Sequence, residues 1–155
     1  MFIYFYDGKP ENFRIRSFIY FLVIQILMKL IQKAIIKKDD KYLIVLRSPE
    51  AKYFPEHWDF PGGKLEPDED PHEGVEREVL EETGLRVKAL DVVGVYELDL
   101  DEKGGNTHRF TVYSTQIISG EEKLSFEHTD YKWMTKDEIL QLKVEPYMRL
   151  YFEGN

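Results

Sequence analysis

No cysteine occurs in the 155 residues. That absence excludes disulfides, thiolate zinc sites and cysteine nucleophiles together, and it suits a reducing compartment, so the expected location is the cytoplasm. Net basic charge is lacking as well: 21 Lys and Arg stand against 29 Asp and Glu, a formal charge of −8. Stable nucleic-acid binding needs a basic surface and is not expected. An anionic small molecule remains admissible, because a bound divalent cation reverses the local sign. Long apolar runs are also missing. The most apolar stretch, Ser17 to Met28, covers about a dozen residues, short of the roughly 18 that a membrane span needs. Arg14 and Arg16 precede it as in a signal peptide, but no A-x-A cleavage pattern follows.

What is present describes a folded globule. Apolar residues make up 43% and aromatics 14%, and the length suits one domain with an appendage. Residues 1–27 differ from the rest and are read as an apolar N-terminal extension, either a start-site artefact or an accessory segment, with translation beginning at Met28. Residues 28–155 form the domain, of α/β (α+β) class. Leu30–Lys37 and Tyr42–Arg47 read as strands joined by a turn at Lys38–Lys41, and a polar, proline-containing loop follows to His57. After a short Trp58–Phe60 segment, Pro61-Gly62-Gly63 makes a strong break. A helix over Pro71–Thr83 is punctuated by Asp70 as N-cap, Glu73 at capping-box spacing and Gly84 as stop, with Val75, Val79 and Leu80 as its apolar side. Arg86–Leu100, His108–Ile118 and Tyr131–Met134 read as further strands, the first two joined by a turn at Lys103–Asn106. Thr135 and Glu138 form a second capping box opening a helix through Leu142, and Pro146 interrupts before a last turn over Tyr147–Phe152. No repeat or linker divides the chain.

Acid is concentrated in one stretch. Between Gly62 and Val87 nine acids face three bases, −6 of the total −8. On the helix, setting Glu78 at 0° puts Glu81 at about 300° and Glu82 at about 40°, within about 6 Å along the axis. Like charges so close repel, and a helix seeking only solubility would intersperse lysines. A hard divalent cation with oxygen ligands, Mg²⁺ or Mn²⁺, relieves that repulsion, and phosphate is its natural partner. The Gly62-Gly63 turn lets the backbone approach such a site, with a carbonyl as a further oxygen ligand. Arg77 is positioned to orient one of the glutamates through a charge-assisted bond. Against this stands the common solvated, Glu-rich helix face.

Other signals fail. Asp99-x-Asp101-x-Lys103-Gly104 begins like a calcium loop, but Lys103 holds its fifth position and Phe110 its twelfth. Gly62-Gly63-Lys64 lacks the earlier glycine of a P-loop and has Leu65 where Ser or Thr belongs. His57, His72, His108 and His128 show no ligand pairing and read as surface or supporting groups. Of Phe60, Tyr96, Phe110, Tyr113 and Trp133, one or two are expected to reach a ligand and the others to be core.

The full string carries more than the spacing. Gly63, Glu69, Arg77-Glu78-Val79, Glu81-Glu82 and Gly84-Leu85 match the pattern G-x5-E-x7-R-E-U-x-E-E-x-G-U, with U aliphatic, at all nine constrained positions over 23 residues. This resembles an unbroken Nudix box. The preceding Trp58-Asp59-Phe60-Pro61-Gly62-Gly63-Lys64 is similar to MutT-like members, as is Met28-Lys29-Leu30-Ile31-Gln32. The resemblance covers about residues 28–143. It implies a mixed sheet between helices with a loop–helix–loop catalytic motif, and Mg²⁺- or Mn²⁺-dependent hydrolysis of a nucleoside diphosphate linked to another moiety. By the same resemblance Glu78, Glu81, Glu82, the Gly62 carbonyl and Glu127 would be metal ligands, with Glu78 as base. Glu69 and Arg77 would hold loop and helix in place and complete the catalytic set. Arg47, Phe60 and Gly63 would contact substrate.

Subfamily markers are absent. Leu100-Asp101-Glu102 stands where a proline would suggest ADP-ribose and a tyrosine dinucleoside polyphosphates, and the coenzyme A motif is missing. By elimination the expected substrate is a nucleoside triphosphate, oxidised or not, cleaved to monophosphate and pyrophosphate. The alternatives are an ADP-ribose or nucleotide-sugar pyrophosphatase, a nucleotide sensor without turnover, and a membrane-anchored domain. A monomer or homodimer is expected. If the anchor is irrelevant, residues 28–155 expressed alone will be soluble and match the full chain in turnover; aggregation or inactivity of that fragment would favour the anchored reading.

Overall fold

A computed structural model of the protein describes residues 28–100 and 106–154. The apolar extension 1–27 and most of the Lys103–Asn106 turn lie outside them. In chain order the elements are β1 (Met28–Ile35), β2 (Lys37–Lys38), β3 (Lys41–Arg47), β4 (Trp58–Asp59), α1 (Pro71–Thr83), β5 (Leu85–Asp99), β6 (Thr107–Gly120), β7 (His128–Thr135), α2 (Lys136–Ile139) and α3 (Pro146–Gly154). β1 lies parallel to β6, and β5 runs antiparallel to β6, which gives a mixed three-stranded sheet in the order β1-β6-β5. β3 pairs antiparallel with β7 along its length and with the short β2 and β4, forming the second sheet.

The chain alternates through the first strands so that both sheet faces are buried. Ile35, Ile44, Phe110 and Val112 enter one core, while Ala34, Ile36, Leu43 and Tyr113 enter the other. Val75 and Val79 of α1 close the second core. Ile139 of α2 and Tyr147, Met148, Tyr151 and Phe152 of α3 close the first. Burial on both faces is the usual condition of a parallel pair such as β1 and β6.

α1 forms where its punctuation predicts. Asp70 accepts hydrogen bonds from the His72 and Glu73 N–H groups, Pro71 opens the helix, and Gly84 at φ 73° returns its N–H to Leu80. Elsewhere the sequence reading needs correction. The expected single strand Leu30–Lys37 divides at Ile36. Its first part joins the mixed sheet, and only Lys37–Lys38 folds back on β3. Alternation runs unbroken across Ile36, so periodicity carries no mark of the change of sheet. β7 begins at His128 rather than Tyr131, because Arg47 continues the pairing to His128 past a register shift. The Thr135–Glu138 capping box is made, but α2 ends at Ile139 instead of Leu142. Pro146 opens α3 rather than interrupting it, a position where its fixed φ and missing N–H cost nothing.

Val79 is fully buried where α1 meets the sheet. Val79→Ala removes two methyl groups there and should destabilise by about 2 kcal/mol, a fall in Tm of roughly 4–8 °C, with kcat retained below the transition. Thermal unfolding followed by circular dichroism checks it.

Candidate active site

The site begins with the loop after β4. Pro61 and Gly63 carbonyls accept hydrogen bonds from the Ala34 and Gln32 N–H groups, both at 2.8 Å, which draws the loop along β1. Gly62 has φ 132°, and a Cβ there would stand 2.1 Å from the Gln32 carbonyl oxygen. Only glycine fits that approach. A Cβ on Gly63 would come within 2.5 Å of the Glu78 carboxylate, so the second glycine sets how closely the loop meets α1.

Three glutamates of α1 turn toward this loop at graded depths. The Glu81 side chain is 58% exposed, Glu78 is 16% exposed, and Glu82 is buried at 6%. Glu82 Oε2 accepts the Gly62 N–H at 2.9 Å. Burial pushes its pKa up to about 8, opposed by Lys33 and by that N–H. Burial also raises Glu78, against the pull of Arg77. Arg77 grips Glu69 with two bonds, Nε to Oε1 at 2.7 Å and Nη2 to Oε2 at 3.1 Å. Its Nη1 reaches Glu78 at 2.9 Å and Glu81 at 3.3 Å, and its Nη2 reaches the Lys64 carbonyl at 3.4 Å. Glu69 is held below the usual carboxylate range by the hydrogen bond from Arg77.

Beneath the loop lies a buried ionic network that the sequence reading missed. Lys33 of β1 donates to Asp59, to the Phe60 carbonyl at 3.2 Å and to the Gly62 carbonyl at 3.0 Å, using all three ammonium protons. Burial alone would lower its pKa; the carboxylates of Asp59, Glu145 and Glu82 outweigh that and raise it. Asp59 also accepts from the Tyr147 hydroxyl and from Arg47 Nη1 at 3.4 Å. Arg47 Nε donates to the Tyr53 carbonyl at 3.1 Å and lies 3.3 Å from Glu145. Glu145 is pushed up to about 8 by burial and by neighbouring Asp59.

Lys33, Arg47 and Glu145 of this network, with the glycine loop and the α1 glutamates, border a cavity of about 650 Å³. Of the residues predicted to act there, Gly62, Gly63, Arg47, Arg77, Glu78, Glu81, Glu82 and Glu127 line it. Glu69 stands behind Arg77, outside the lining. Phe60 is a correction: it is 0% exposed, packed among Tyr42, Tyr147, Tyr151 and Phe152 in the core, and cannot touch a ligand. Among the five candidate aromatics only Phe110 lines the cavity, and its ring is stacked on Tyr147 at 4.5 Å. The sequence reading passed over Lys33, Tyr53, Phe54, Phe126 and Glu145, and took His108, which is buried and lines the cavity, for a surface or supporting group. A lysine among apolar strand residues, and an acid between Trp58 and Phe60, were the available signals for the buried network. Phe126, a phenyl 94% exposed on the rim, carries no periodic signal.

The donors suit a hard cation by type, being carboxylates and a carbonyl around one cavity. Among the described residues no three acidic or imidazole side chains already stand together as a ligand set. Glu78 and Glu81 are occupied by Arg77, which here supplies the positive charge they need.

A family model described as NUDIX domain matches residues 33–153. The chain belongs to the NUDIX family. A MutT-like protein of Streptomyces ambofaciens is 35% identical over 116 residues, 73% of this chain and 67% of its own length. The CTP pyrophosphohydrolase of Escherichia coli (strain K12) is 29% identical over 121 residues, 77% of this chain and 86% of its own. The crystal structure of a MutT protein from Methanosarcina mazei Go1 superposes with a TM-score of 0.74 at 32% identity, covering 82% of this chain and 91% of that one. Mammalian relatives named diphosphoinositol polyphosphate phosphohydrolases match about half of this NUDIX chain, which spans under half of their length. The protein is thus a hydrolase of pyrophosphate bonds.

Lys33→Met would leave Asp59 buried and short of its main counter-charge. The expected cost is about 3–5 kcal/mol, a fall in Tm of roughly 6–20 °C. Thermal or denaturant unfolding measures it; a change within 1 °C would show that Arg47 and Tyr147 hold Asp59 without Lys33.

Proposed function

We propose that this NUDIX hydrolase cleaves a nucleoside triphosphate to the monophosphate and pyrophosphate, with Mg²⁺ or Mn²⁺ as cofactor. The observation that carries the reading is the graded row Glu81, Glu78 and Glu82 beside the Gly62 carbonyl, on one side of a cavity with aromatic groups elsewhere in its lining. The cation, when bound, would offset phosphate charge and make water a better nucleophile. Glu78, Glu81, Glu82 and the Gly62 carbonyl would hold it, with Glu127 as a further ligand from the opposite loop.

The chain's own contribution is positioning and proton handling. Glu69 fixes Arg77, and Arg77 holds Glu78 and Glu81 at the cavity edge, where they would hold the cation. Glu78 accepts the proton of the attacking water. Arg47, which also lines the cavity, contacts phosphate oxygens, its guanidinium charge kept in register by Asp59 and Glu145. Gly63 leaves room for the phosphate chain beside Glu78. The relative named as a CTP pyrophosphohydrolase supports the triphosphate reading. The absence of cysteine supports the cytoplasm, and among the described residues no helix is long and apolar enough to cross a membrane.

The test is a panel of nucleoside triphosphates, 8-oxo-dGTP, ADP-ribose, diadenosine polyphosphates and a nucleotide sugar, incubated with Mg²⁺ and resolved by chromatography. A triphosphate should yield monophosphate and pyrophosphate. Glu78→Gln should lower kcat at least about 100-fold with Tm kept within a few degrees. Full activity in that variant would remove Glu78 from its role, and cleavage of ADP-ribose alone would overturn the substrate.

A further inference from the structure

Among the described residues three buried side-chain atoms have no hydrogen-bond partner: Gln32 Oε1, His108 Nε2 and His128 Nδ1. Only His108 lines the large cavity; His128 borders a smaller one beside Glu127, and Gln32 borders neither. Leaving such an atom unmet is costly, so an unmet atom on a residue that lines a cavity points to a partner arriving there.

His108 lies on β6, opposite Lys29 in the parallel pairing with β1. Lys33, whose ammonium touches the Gly62 carbonyl, is four residues beyond Lys29 on β1, about 13 Å of backbone at the strand rise. The imidazole therefore lies beside the start of β1, at a backbone position well before the lysine that holds the glycine loop. Tyr53 meets its ring edge-on at 4.9 Å, and Phe110 follows on the same strand face at 6.2 Å. The Tyr53 hydroxyl is pinned in turn, accepting from Lys29 Nζ at 3.1 Å and Asn106 Nδ2 at 3.0 Å. Burial, then the charges of Lys29, Arg47 and Lys52, hold the His108 pKa down to about 4, so the ring is neutral at pH 7. A neutral imidazole offers one hydrogen bond at Nε2 and no charge for a phosphate. Flat aromatic neighbours suit a ring more than a sugar.

Resting on the nucleotide reading above, we propose that His108 Nε2 hydrogen-bonds the uncharged edge of the substrate's nucleobase and thereby sets which base is accepted. A buried polar atom that needs a partner discriminates strongly, because a ligand without the matching group leaves it unpaired.

The experiment compares the wild type with His108→Phe and His108→Gln on ATP, GTP, CTP, UTP and their deoxy forms. Initial rates give KM and kcat. Calorimetry with α,β-methylene triphosphates and with inorganic tripolyphosphate gives affinities without turnover. His108→Phe should raise KM and Kd about ten-fold or more for the preferred base, level the preference among bases, leave kcat within about three-fold, and leave tripolyphosphate binding unchanged. His108→Gln, which keeps a hydrogen-bonding group, should recover part of the preference. An unchanged profile in both variants would mean that water alone meets Nε2. A loss shared equally by all bases and tripolyphosphate, or one that follows ribose against deoxyribose, also overturns the assignment. If the wild type neither binds nor cleaves any nucleotide, the proposed function falls and takes this inference with it. If the wild type works and only the variants fail to differ, this inference alone falls.

Discussion

Lys33 is buried beneath the site with its ammonium fully hydrogen-bonded, and the local architecture follows from keeping that charge satisfied. An isolated ammonium in the interior would deprotonate or unfold the surroundings. Here Asp59 answers it directly, and the carbonyls of Phe60 and Gly62 take its remaining protons. That arrangement ties three parts of the chain to one point: β1, the β4 segment, and the glycine loop. Tyr147 extends it to α3 through the other oxygen of Asp59. Arg47 extends it to β3, and through Glu145 to the start of α3.

The loop then transmits the position of this network to the helix. Gly62 gives its carbonyl to Lys33 and its N–H to Glu82, so one peptide unit after another is fixed between a cation and a carboxylate. A buried pair of this kind contributes little net stability compared with an apolar replacement, while breaking it is expensive. Its value lies in geometry: an apolar core at this place would pack as well but would not aim a carbonyl and a carboxylate at the same cavity. The same logic holds on the exposed side, where Glu69 fixes Arg77 with a fork of two bonds and leaves its third nitrogen to Glu78 and Glu81.

Local signals explain what was legible in the sequence. α1 was readable because Asp70, Pro71 and Gly84 act on their immediate neighbours, and the glutamate row because helical spacing maps residue number to angle. The long strands β5 and β6 were readable from composition and turn residues. The crossing of the chain between sheets at Ile36 was not, because both sheets accept the same alternation of buried side chains. Phe60 was misread for a related reason: its neighbours Asp59 and Gly62 belong to the site, yet its own side chain points to the opposite side of the β4 segment, into a cluster of rings brought in by α3. Lys33, Asp59 and Glu145 lie far apart in sequence and become one network only through the fold.

The burial gradient along Glu81, Glu78 and Glu82 gives the three chemically similar residues different surroundings. Glu82 is deepest and accepts the Gly62 N–H through Oε2, which joins helix to loop. Glu81 is open to water and gives up Arg77 at little cost, because an exposed ion pair is weak. Glu78 lies between: sheltered enough that burial raises its pKa, yet facing the cavity beside Gly63, where any side chain on the loop would collide with it. One helix turn thus presents a single residue type at three depths, the deepest joined to the loop and the other two to Arg77. Depth below the surface, set by the loop that Lys33 holds, is what separates them.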